Sequence, residues 1–161
     1  MAARYDVEGL VVVIAGGTTG LGLSAAKQLV EQGAKLAIFG RSQDSVDAAV
    51  AELGHDTLGF ALDATDPDST DVVIEAAVQR FGRLDALYHV AGGSGRKHGD
   101  GPLHELTDDG WRFTCDLNLS SMIWSNRAAV RQFLKQGAGG TILNMGSVLG
   151  WSPEPKHFAS H

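Results

Sequence analysis

The chain has 161 residues, 43% of them hydrophobic, with a formal net charge of −6. The length suits one domain, residues 1–161, with a sizeable core, and an acidic balance without a basic stripe excludes nucleic acid as a partner. No apolar run approaches a membrane span, the N-terminus lacks a signal peptide's apolar stretch, and the single cysteine, Cys115, permits no internal disulfide and fits a reducing cytoplasm.

The first element is an apolar run from Leu10, β-branched from Val11 to Ile14, which suits a strand buried on both faces. Gly16, Gly20 and Gly22 follow, and then a helical segment from about Leu21 to Gln32. Glycine tolerates the backbone angles of so sharp a turn. With no Cβ at Gly16 and Gly20, a diphosphate can come close to the main chain, and Gly22 lets the helix pack tightly on the strand. The free amides of the helix N-terminus attract phosphate, and Thr18 and Thr19 add hydroxyl donors or a cap. An ordinary strand-turn-helix corner would use the same glycines, and the chain holds 21 of them.

A second strand spans Lys35 to Phe39 and ends at Gly40. Ser42 to Leu53 is helical, with Ser42 as N-cap and Val46, Ala49, Val50 and Leu53 on one face. Thr57 to Leu62 is a third strand, and Pro67 opens a helix to about Phe81. Leu84 to Val90 is a fourth strand, followed by a glycine-rich loop from Gly92 to Pro102 that borders the substrate side. Thr107 caps a long helix to about Lys135, whose apolar set is Trp111, Leu117, Leu119, Ile123, Trp124, Ala128, Val130 and Phe133. After the glycine stop at residues 137–140, Thr141 to Met145 is a fifth strand. Cys115 is read as a core residue. Among the six histidines, His98 and His104 lie near Asp100 and Glu105 in the loop, but no two sit at i, i+4 on a helix, so no metal site is expected.

Repeated β-α-β units with short turns imply an α/β, Rossmann-type doubly wound parallel sheet with helices on both faces. The strand order is expected to be 3-2-1-4-5, with ligand at the carboxyl ends beside the switch point between strands 1 and 4.

Five segments then match one family in order. Residues 15–22 resemble the T-G-x-x-x-G-x-G turn of the short-chain dehydrogenases/reductases, with Ala15 in place of the opening threonine. Asp63-Ala64 resembles the Asp-hydrophobic pair that meets the adenine amino group. Ala91-Gly92 ends what looks like the N-N-A-G motif, with His89 and Val90 replacing both asparagines. Asn118 sits in a segment like the one that carries the family's catalytic asparagine, and Ser147 in one like the N-x-S-S-x-x-G element of its catalytic serine. The resemblance implies a nicotinamide cofactor, a small-molecule carbonyl or alcohol substrate, and a homo-oligomer in the full-length form. It implies cofactor contacts at Gly16, Thr18, Thr19, Gly20, Leu21, Gly22, Asp63, Ala64, Ala91 and Gly92.

Charge then argues for NADP over NAD. A carboxylate after strand 2 would bind the ribose hydroxyls of NAD and repel a 2′-phosphate. This chain offers Arg41 and Ser42, a guanidinium fork and a hydroxyl at a helix N-terminus. A solvated surface charge is the plain alternative for Arg41, as a turn cap is for Asp63.

The family's proton donor is a tyrosine in a Tyr-x-x-x-Lys pair after the serine loop. Here Tyr5 and Tyr88 both precede Ser147, and neither Ser160 nor Lys156 fits the pair. The chain is therefore expected to be the N-terminal part of a longer enzyme, and inactive alone, with strand 5 and an apolar patch left uncovered. A non-catalytic dinucleotide-binding sensor or scaffold is the alternative; Asn118 and Ser147 argue against it. A serine hydrolase would need G-x-S-x-G, and Met145 stands where the first glycine belongs.

Overall fold

The computed structural model describes residues 6–152. Tyr5, Lys156, Ser160 and His161 lie outside the described residues. Five parallel strands form one sheet in the order β3-β2-β1-β4-β5. They are β1 (Val11–Ala15), β2 (Lys35–Gly40), β3 (Thr57–Ala61), β4 (Ala86–His89) and β5 (Thr141–Asn144). Their registers are continuous: Ile14 lies opposite Ile38 on one side and Tyr88 on the other, and His89 opposite Asn144.

Alternate residues of the central strands feed two cores, as a sheet covered on both faces requires. Val12, Ile14, Leu36 and Ile38 pack with Ala26 of α1 (Gly20–Glu31) and with Ala49 and Leu53 of α2 (Gln43–Leu53). Val11, Val13, Ala37 and Phe39 face the other way. They pack with Val73, Ile74 and Ala77 of α3 (Ser69–Phe81) and with Ala128, Ala129 and Phe133 of α5 (Ser121–Gln136). Phe39, Ile14, Leu36 and Ile38 are fully buried, at roughly 1.5–3 kcal/mol each. Asp85 anchors the sheet by accepting the Val11 amide at 2.9 Å while pairing with Arg83 at 2.5 Å.

Two helix starts follow the sequence reading. Ser42 accepts the Ser45 amide at 3.4 Å, and Thr107 accepts the Gly110 amide at 3.0 Å. The long helix differs from expectation. It begins as α4 (Asp108–Cys115), widens into a π turn at Asp116–Ser120, and resumes as α5. Its buried face keeps only Ala128 and Phe133 of the expected apolar set: Ser121, Ser125 and Ala129 are buried beside them, while Trp111, Leu119, Ile123 and Val130 are exposed. Small residues let α5 sit close to β4 and α3, and the extra residue of the π turn rotates the face. Cys115 is likewise half-buried rather than in the core. The β5 edge is largely exposed, including Leu143. Among the described residues no helix is long and apolar enough to cross a membrane.

Candidate functional site

Each strand's carboxyl end delivers one part of a continuous depression. The turn after β1 brings Gly16 to Gly22, β2 leads into Arg41 and Ser42, β3 into Asp63 and Ala64, and β4 into Ala91 and Gly92. All twelve sequence-predicted cofactor residues line one cavity of about 710 Å³. Phe39, Gly40, Ser45, Leu62, Val90 and Leu117 complete its wall.

The glycines of the turn have separate physical reasons. Gly20 has φ +53 with open space where a Cβ would stand, so the main chain there is bare towards the cavity. A Cβ on Gly22 would overlap the Gly16 carbonyl oxygen and lie 2.8 Å from Val90 Cγ1, so only glycine lets α1 start this close to the sheet. At Gly16 (φ +82) a Cβ would meet the Ala91 backbone nitrogen at 2.8 Å. Its smallness thus also admits the β4 loop, beside the ligand approach expected from the sequence. Gly40 is a glycine whose role the sequence did not disclose: its Cβ would overlap the Thr18 hydroxyl. Thr18 is buried there, and Thr19, at the N-cap of α1, makes no side-chain cap bond. The first amides of α1 therefore keep their donor capacity for a ligand.

Arg41 is exposed on the cavity rim and makes no ion pair among the described residues. Ser42 accepts from Ser45, which leaves its own hydroxyl proton to donate. Asp63 does cap its turn, accepting the Thr65 amide at 3.0 Å and the Thr65 hydroxyl at 2.9 Å, while still facing the cavity. A second oxygen remains for a donor beyond those two.

A second cavity of about 530 Å³ adjoins the first across Val90, Ala91 and Gly92. Asn118 and Ser147, 29 positions apart in sequence, both line it. The Asn118 side chain accepts the Gly93 amide at 2.8 Å and donates to the Gly93 carbonyl at 2.9 Å, so the π turn is tied to the β4 loop by a paired bond. Ser147 is exposed, and its oxygen accepts the Leu149 amide at 3.2 Å. Trp111, Met122 and Met145 give the cavity apolar walls. These three and His89 are far apart in sequence and meet only when α4, α5, β4 and the exit of β5 come together.

His89 is 2% exposed and on the cavity wall; burial pushes its pKa down to about 4, with a smaller opposing effect from the Ala91 backbone. The Cys115 thiol, on the same wall, is pushed up by burial first and then by Asp116 and Asp100, so it is no activated nucleophile. Among the described residues no group of three or more His, Cys, Asp or Glu is placed to hold a metal.

Comparison with known proteins gives a consistent result. The family model described as "short chain dehydrogenase" matches residues 10–159. The (5R,7aS)-5-hydroxy-7a-methyl-1-oxo-2,3,5,6,7,7a-hexahydro-1H-indene-carboxyl-CoA reductase of Mycobacterium tuberculosis is 35% identical over 156 residues, 94% of this chain and 57% of its own length. The 2,5-dichloro-2,5-cyclohexadiene-1,4-diol dehydrogenase LinX of Sphingobium indicum is 35% identical over 148 residues, 90% of this chain and 57% of its own. The solved structure of a short-chain type dehydrogenase/reductase from Mycobacterium ulcerans superposes with a TM-score of 0.80 at 30% identity, covering 88% of this chain and 52% of that one. The chain thus spans somewhat over half the length of the curated relatives it matches.

Proposed function

The chain belongs to the short-chain dehydrogenase family, and from that premise we propose that it holds NADP and presents it to a small carbonyl or alcohol substrate in an oxidoreductase of the wider protein. The observation that carries this reading is the junction of the two cavities: a phosphate-type cradle on one side of Val90–Gly92, and Asn118 with Ser147 on the other.

The residues fit the cofactor. The open backbone at Gly20 and the uncapped amides of α1 suit a diphosphate. Arg41 and the Ser42 hydroxyl suit a 2′-phosphate, and the free lone pairs of Asp63 suit an adenine amino group. When bound, the dinucleotide supplies or takes up hydride at its nicotinamide ring. Ser147, whose oxygen already accepts from Leu149, has its proton free to donate to a substrate carbonyl oxygen and so polarise it. Asn118 holds the floor of the second cavity by clamping Gly93. Neither side chain titrates near neutral pH, so the proton of the reaction comes from a further group. Turnover is accordingly proposed for the whole protein.

The names of the relatives, an indene-carboxyl-CoA reductase and a cyclohexadiene-diol dehydrogenase, support a cyclic alcohol or ketone as the substrate class. The apolar walls of Trp111, Met122 and Met145 suit such a ring. The exposed apolar side chains of α5, Ile123, Val130 and Leu134, support self-association of the whole protein, and the lone cysteine a cytoplasmic setting. Titration calorimetry of the chain with NADP and NAD tests the cofactor reading. Saturable binding, tighter for NADP, is expected; no binding of either removes the proposal.

A further inference from the structure

His89 has no part in the chemistry just described, yet it is buried on the wall of the second cavity, between the strand that leads to one side of the site and the helix that carries the other. We propose that His89 is a positioning residue: as a neutral imidazole with its proton on Nε2, it braces the π turn that presents Leu117 to one cavity and Asn118 to the other. The inference rests on the reading of Asn118 as part of the active site.

The proton on each atom follows from counting. In the π turn the Ser121 amide bonds to the Asp116 carbonyl, five residues back. The Leu117 carbonyl thereby loses its α-helical donor, which would have been that same amide. The Ser121 hydroxyl replaces it, donating to the Leu117 carbonyl at 2.6 Å. A hydroxyl has one proton to give, so Ser121 Oγ must accept from its other neighbour, His89 Nε2, at 3.3 Å. The imidazole proton is therefore on Nε2, and Nδ1 is bare. Nδ1 accepts from the Ser125 hydroxyl at 3.0 Å, and Ser125 Oγ in turn accepts from the Thr70 hydroxyl at 2.9 Å.

The result is a one-directional chain: Thr70 to Ser125, Ser125 to His89, His89 to Ser121, Ser121 to the Leu117 carbonyl. Thr70, His89, Ser121 and Ser125 are all buried, so none has water as an alternative partner. A second ring proton would leave Nδ1 and Ser125 both donating towards each other, and burial already disfavours the charged ring. The backbone of His89 works on the other side of the site: its carbonyl accepts the Met145 amide at 2.8 Å, two residues before Ser147. One residue thus ties the strand exit towards Ser147 to the helix turn that bears Asn118.

Nitrogen-15 spectra of the histidine-labelled chain test the tautomer, and backbone amide spectra test the brace. At neutral pH the His89 ring is expected to show a protonated Nε2 and a bare Nδ1. Ser121→Ala, a small change, should shift the Leu117, Asn118 and Gly93 amides. His89→Phe should do the same. In the whole protein both variants should lower kcat roughly tenfold, as for misplacement of a positioned group, with a smaller change in cofactor affinity. His89→Gln, whose amide both donates and accepts, should recover part of that loss where His89→Phe does not. A proton on Nδ1, or unmoved Asn118 and Gly93 amides in Ser121→Ala, overturns the proposal. Absence of NADP binding with the tautomer and the amide shifts intact would instead sink the cofactor reading and leave the brace standing.

Discussion

Gly22→Ala isolates the part of the site that depends on backbone contact alone. The added methyl would overlap the Gly16 carbonyl oxygen, and lie 2.8 Å from Val90 Cγ1 and 2.9 Å from the Gly16 carbonyl carbon. Ordinary contacts between such atoms are about 3.5–4.0 Å, so the start of α1 must retreat by about 1 Å. Overpacking of this kind costs about 1–3 kcal/mol, and the better helix propensity of alanine returns up to about 1 kcal/mol. A net destabilisation of about 1–2 kcal/mol is expected by urea denaturation. The effect on ligand should be larger than the effect on fold, because the same 1 Å carries the first amides of α1 away from a bound phosphate. Loss of one hydrogen bond to a charged group, about 1.5–3 kcal/mol, means at least roughly tenfold weaker NADP binding by calorimetry. Gly20→Ala is the informative companion. Its Cβ meets nothing, but φ +53 is a left-handed angle, so about 1–2 kcal/mol of strain is expected together with a methyl in the cavity. Wild-type stability and wild-type affinity in Gly22→Ala would refute the close-approach reasoning.

Arg41→Asp should weaken NADP binding and shift the preference towards NAD; an unchanged NADP to NAD affinity ratio would defeat the charge argument. Ser147→Ala in the whole protein should lower kcat strongly with cofactor affinity unaltered, and near-normal turnover would count against a polarising hydroxyl. His89 makes a pH prediction. Its folded pKa of about 4 lies below the ordinary 6.5, so the unfolded chain binds the proton first. The stability it contributes is present above pH 6.5 and lost as pH falls towards 4, by at most about 3 kcal/mol. Urea titrations at both ends of that window should show a slope that His89→Asn reduces; an equal slope in the variant would exclude His89 as its source.

What the sequence disclosed was local. The β-branched run into Gly16, the Ser42 and Thr107 caps and the alternation of strands with helices are each set by neighbours within a few residues, and they appear in the fold as read. The gathering of Gly16, Arg41, Asp63 and Gly92 on one cavity follows from strand order, because all four stand just past a strand's carboxyl end. The long helix was less legible. One extra residue at Asp116–Ser120 breaks the 3.6 period without any glycine or proline to announce it. Its buried serines, Ser121 and Ser125, look like surface residues until His89 and Thr70 arrive from β4 and α3 to satisfy them. Cys115 reads as a core residue by its type, and the fold puts it on a cavity wall instead.

A structure of the chain with NADP bound tests the account most directly. The diphosphate should lie on the amides at the start of α1, the 2′-phosphate against Arg41 and Ser42, and the nicotinamide end towards Asn118 and Ser147. A dinucleotide found elsewhere on the molecule, or none bound at saturating concentration, would contradict it.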